Sequence, residues 1–81
     1  MNERIIQFVW DYYGDPAAKT AEHHSIHLRE FAQERKLKKQ QSGYQKINEN
    51  HFIAYLLLVE SEAVELKDIL KPHRAFIHKP A

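Results

Sequence analysis

The 81-residue chain contains no cysteine. Disulfides, thiolate nucleophiles and cysteine-bound zinc are therefore excluded, and with them the staple that small domains often use. Two glycines are too few for a glycine-rich phosphate loop, and no nucleophile-elbow pattern is present. Neither sign of charge is in excess. Twelve Lys and Arg against eleven Asp and Glu give +1, which argues against an electrostatic nucleic-acid binder or an acidic tail. Long apolar runs are missing too. The longest, Phe52 to Val59, falls far short of the ~20 residues of a membrane span. Met1-Asn2-Glu3-Arg4-Ile5-Ile6 lacks the charged and apolar regions of a secretion signal. A soluble, cytoplasmic protein with no membrane partner and no cofactor is expected.

What the chain does contain is apolar and aromatic: 43% hydrophobic residues and 11% Phe, Trp and Tyr, a composition that folds. One domain over residues 1–81 is expected. A core this small buries only about 60–65% of the unfolded surface. Without disulfides, a metal or a second subunit is the remaining source of support.

Arg4 to Tyr13 has strand composition, closed by Gly14. Asp15 as N-cap and Pro16 at the first helical position start a helix that runs to at least Arg35. Lys38 to Gln41 reads as frayed end or loop, with Ser42-Gly43 as the stop. Tyr44 to Ile47 forms a short strand, Asn48-Glu49-Asn50 a turn, and His51 to Glu60 the next strand. Ser61 caps a helix over Glu62 to Leu70, whose first turn is acidic as the helix dipole favours. Lys71-Pro72 closes it, His73 to Lys79 is the last strand, and Pro80-Ala81 a free end. The order βαββαβ, with right-handed crossovers, predicts a ferredoxin-like α+β fold: a four-stranded antiparallel sheet with two helices on one face.

A sheet covered on one side should alternate apolar and polar residues. The first and third strands do not, since both parities are apolar. The face without helices would expose Ile5, Val9, Ile53, Tyr55, Leu57 and Val59, more than monomers usually tolerate. Homodimerisation through this open face is expected, with Ile5, Val9, Ile53, Tyr55 and Leu57 at the interface. Small proteins of this topology that pair sheet against sheet are similar to the dimeric α/β-barrel group. That resemblance implies pockets between helices and sheet, and a group that includes monooxygenases and isomerases. Nucleic-acid binding on the open face is not expected, because His51-Phe52-Ile53-Ala54-Tyr55-Leu56-Leu57 lacks the RNP1 pattern.

The first helix carries a histidine cluster: His23, His24 and His27. Ala17, Ala21, Leu28, Phe31 and Ala32 form its sheet-facing stripe, with His24 inside and His27 at the border. Ile26 and Leu37 point to the opposite side. His23 and His27 have the i, i+4 spacing of a metal pair, with Glu30 the nearest added carboxylate. The zinc-protease glutamate is absent, and no metal is assigned.

His24 has two readings, a core histidine satisfied by one hydrogen bond or a working imidazole. The working form needs an orienting group, and Asp11, near the end of the first strand, is the candidate. An Asp11–His24 dyad is thus expected as catalytic machinery, if strand parity turns Asp11 toward the helix. His27, Tyr13 and Arg74 would bind ligand. His73, Arg74 and His78 otherwise decorate an edge strand.

Two functions follow. One is a small homodimeric domain that binds a small molecule or a protein partner without catalysis. The other is a cofactor-independent enzyme of the dimeric α/β-barrel type using a His/Asp general base.

Overall fold

The computed structural model describes residues 3–79; Met1, Asn2 and the expected free end Pro80-Ala81 lie outside the described residues. The elements are β1 (Ile5–Tyr13), α1 (Ala17–Glu34), β2 (Gln41–Asn48), β3 (His51–Val59), α2 (Glu60–Leu70) and β4 (Arg74–Ile77). The sheet order is β2-β3-β1-β4, with every neighbouring pair antiparallel. This is the expected ferredoxin-like βαββαβ fold. Among the described residues no helix is long and apolar enough to cross a membrane.

β1 and β3 pair along their whole length, Ile5 opposite Val59 and Tyr13 opposite His51. Strand period two then divides their side chains between faces. Phe8, Trp10, Ala54, Leu56 and Leu58 enter the helix-side core, with Ile6, Tyr12 and Phe52 packed at its margin. The helices complete it with Ala21, Leu28, Ala32, Ala63 and Leu66.

The opposite parity meets no helix, yet it is not the open apolar patch expected. Val9, Ile53 and Leu57 are only 0%, 5% and 3% exposed within one chain. Side chains sharing their face must cover them. One is visible doing so: a Cβ built on Gly43 would lie 2.6 Å from the Tyr55 hydroxyl, so Tyr55 reclines across the β2 backbone. Ile5, Tyr55 and Val59 stay half-buried.

Element boundaries differ from the sequence reading at the caps. Neither helix has a side-chain cap bond at its start. α1 begins at Ala17 after Pro16, one residue later than expected. α2 begins at Glu60, before Ser61. The Glu60 N–H instead bonds to the Arg4 carbonyl at 2.9 Å, and the Ser61 N–H is taken by the Glu3 carboxylate at 2.9 Å. Arg4 and Glu60 also pair through their side chains. The strand side thus supplies what a capping serine would.

α1 stops before Ser42-Gly43, which lie in β2. Its stop is Lys36 at φ +52°. Lys36 N–H donates to Gln33 O and Leu37 N–H to Ala32 O, the bond pair of a Schellman ending. This reversal turns Leu37 into the core, 6% exposed, rather than to the far side of a longer helix.

Candidate functional site

On the helix side, α1 lays Ala17, Ala21, Ser25, Leu28 and Ala32 against the sheet. Ser25 rather than His24 holds the centre of that stripe. It can be buried because its hydroxyl donates to Glu22 O at 2.6 Å, while its own carbonyl accepts from the Ser42 hydroxyl at 2.9 Å. His24 sits half-buried at the stripe's edge, directly over the end of β1. The Tyr12 hydroxyl and His24 Nδ1 are 2.6 Å apart, and the imidazole packs edge-on to Trp10 at 4.8 Å between centroids. Trp10 is itself pinned, its Nε1–H donating to Leu70 O at 3.1 Å.

Burial pushes the Tyr12 phenol up from its ordinary value, so the hydroxyl keeps its proton. Burial, helped by His27 and His73 nearby, pushes His24 down, so the ring is neutral at neutral pH. A neutral imidazole has one acceptor nitrogen. With the phenol as donor, its proton points to Nδ1 and Nε2 carries the ring hydrogen. Nε2 has no hydrogen-bond partner among the described residues, and no buried side-chain nitrogen or oxygen there is left unpaired. It therefore opens to solvent.

It does so beside a groove of about 730 Å³ lined by His24, His27, Leu28, Phe31, Glu34 and Leu70, with Glu30 and Gln33 also on its wall. A shallower hollow of about 490 Å³ lies across the same two histidines, with Lys19, Thr20 and His23.

On the open face, the Asp11 carboxylate is 12% exposed and has three bonds. Arg74 grips it with Nε at 3.0 Å and Nη2 at 2.8 Å, and His51 Nε2 donates at 2.7 Å. Burial pushes this carboxyl up, but the Arg74 and His51 bonds and charges together outweigh it and hold it below the usual range. Tyr13, 67% exposed, stacks on His51 at 4.4 Å and 16°. The Asp11 N–H donates to His73 Nδ1 at 2.9 Å, a side chain continuing the ladder beyond β4.

No known protein family, curated protein or solved structure matches this chain. Its function has to be read from these two clusters.

The Asp11–His24 dyad does not form. β1 parity sends Asp11 to the open face with Val9 and Tyr13, while α1 holds His24 on the other side. The expected set divides accordingly: Asp11, Tyr13 and Arg74 come together around His51, and His24 and His27 line the groove. Ile5, Val9, Ile53, Tyr55 and Leu57 all fall on the open face. His23 and His27 rings lie 4.5 Å apart, but no group of three or more metal-ligating side chains among the described residues is arranged to hold an ion.

Sequence reasoning missed Tyr12, Trp10 and His51 as site residues. The signal for the first two was available. Their parity is that of Phe8, the helix-facing one, so the phenol rather than the carboxylate was the partner within reach of α1. His51 is opposite Tyr13 and diagonal to Asp11, a neighbour that only the β1–β3 register reveals.

Proposed function

We infer that this chain is a small-ligand-binding domain that acts as a homodimer and catalyses no reaction. The observation that carries this reading is the Tyr12–His24 bond of 2.6 Å, which holds the imidazole with Nε2 turned outward beside a groove where Leu28, Phe31 and Leu70 lie among polar side chains. A fixed polar group over apolar walls is how ligand sites combine orientation with affinity. With the phenol donating to Nδ1, Nε2 is a donor and not a base at rest, which favours binding over proton abstraction. Screening small aromatic fragments by amide and imidazole NMR is expected to give saturable shifts at His24, Leu28, Phe31 and Leu70. A screen in which none of these moves would overturn the reading.

The dimer rests on the half-buried Ile5, Tyr55 and Val59 with Phe76, 45% exposed, on a face no helix covers. Light scattering is expected to give twice the chain mass, and Tyr55→Asp to halve it. Leu57 is unsuited to this test, since it is buried within one chain.

A second reading keeps the cofactor-independent enzyme. Its His/Asp pair is Asp11–His51, in which the carboxylate orients the ring through Nε2 and leaves Nδ1 as base. Loss of a proton-transfer activity in His51→Gln, with His24→Gln unaffected, would favour it.

A further inference from the structure

Resting on the groove as the binding site, we propose that its ligand is an uncharged, flat carbonyl compound whose oxygen accepts from His24 Nε2–H while its ring lies along Leu28, Phe31 and Leu70. The first argument is the direction of the hydrogen bond. The Tyr12 hydroxyl has one partner among the described residues, His24 Nδ1. With the phenol donating inward and the ring donating outward, both groups are bonded within the protein, whereas the reverse arrangement hands the phenol proton to solvent. The groove therefore offers a donor at its polar point. A ligand ammonium, which only donates, would face it N–H to N–H, whereas a carbonyl oxygen, which only accepts, is satisfied.

The second argument is charge. A carboxylate leaving water needs a charged partner to offset its desolvation, and a neutral imidazole supplies none. Glu30 and Glu34 stand on the same wall and repel an anion. Arg35 is the cation at hand, and it lies over the Phe31 ring, 5.0 Å from its centroid. Among the described residues that line the groove, Glu30 and Glu34 are acids and none is a lysine or arginine.

The third argument is shape. Leu28 lies within the core, while Phe31 and Leu70 are half-buried at its edge. Together they form an apolar wall that suits a ring rather than a polar chain, and a groove of about 730 Å³ falls in the size range of small-molecule sites.

The test compares two probes with one ring system, 2-acetylnaphthalene and 2-naphthoate, titrated at pH 7.5 into the full chain with ¹⁵N-labelled histidine. The ketone is expected to shift His24 Nε2 and the amides of Leu28, Phe31 and Leu70 saturably, with the carboxylate about tenfold weaker. In Tyr12→Phe, which frees Nδ1 to carry the hydrogen, the preference for the ketone should shrink. The wild-type comparison decides the matter even if that variant folds poorly. Equal or tighter binding of 2-naphthoate would overturn the neutral-carbonyl class and leave the groove standing as a site. A chain that shifts with neither probe would overturn the groove reading and this proposal with it.

Discussion

Tyr12 and Asp11 are neighbours in sequence and belong to opposite faces, so their substitutions separate the two clusters. Tyr12→Phe removes one hydrogen bond from a half-buried imidazole, at a cost of about 0.5–1.5 kcal/mol in urea unfolding. His24 itself makes stability depend on pH. Its folded pKa lies below the unfolded value of 6.5. Above 6.5 the full stability is present; as pH falls below it, the unfolded chain takes up a proton that the folded chain refuses, and stability drops. Unfolding at pH 7.5 and 5.5 should show this loss, and His24→Gln should flatten it. Asp11 acts in a more acidic window. Its carboxyl is held below the unfolded 3.8, so its contribution is present above that value and is lost as pH falls toward the folded one. Asp11→Asn should cost about 1–3 kcal/mol and leave the His24 tautomer, read by ring ¹⁵N shifts, unchanged.

At the level of elements, two positions have conformations that their residue types alone did not announce. Lys36 ends α1 at φ +52°, a region that costs a non-glycine residue roughly 1–2 kcal/mol. Lys36→Gly is therefore expected to stabilise the protein by about 0.5–1 kcal/mol, measured by urea midpoint, after allowing for the freer unfolded chain. Gly43 is held by contact instead. Gly43→Ala would push the reclining Tyr55 ring away and should cost about 1–3 kcal/mol, a cost that a Tyr55→Leu background should reduce. These two sites explain where the sequence misleads. A glycine near the end of a polar run reads as a helix stop, but the stop is made by a lysine whose following Leu37 is drawn into the core. The glycine serves a cross-strand ring that only the β2–β3 register identifies. Strand and helix existence were legible because apolar periodicity and the Gly14 and Pro72 breaks mark them. The cap of α2 was not, because Glu3 and Arg4, far away in sequence, reach it only through the register that sets Ile5 opposite Val59.

For the molecule as a whole, the βαββαβ order was legible from the alternation of element types, and chain connectivity left little choice of topology. The division of the site was not, because it depends on which parity of β1 meets the helices, and both parities are apolar. That ambiguity has a physical source. Val9, Ile53 and Leu57 form a thin second core under recumbent side chains, so the open face has core-like composition without a covering layer. Ile53→Ala should accordingly destabilise the isolated chain by about 2–5 kcal/mol, as a residue buried only on dimerisation would not. Measuring unfolding at several protein concentrations, with Tyr55→Asp as the monomeric reference, separates the two.

β4 is four residues long, and Arg74 at its start is also the clamp on Asp11. Protonating that carboxylate takes the counter-ion from the guanidinium and leaves the strand with a short ladder. In acid the outer strand should peel before the rest of the sheet melts, baring one side of β1. An uncovered apolar strand is a template for another chain. Acid-induced assembly, growing from an edge that the short β4 ladder and the Arg74–Asp11 pair together keep closed at neutral pH, is the hazard built into this arrangement.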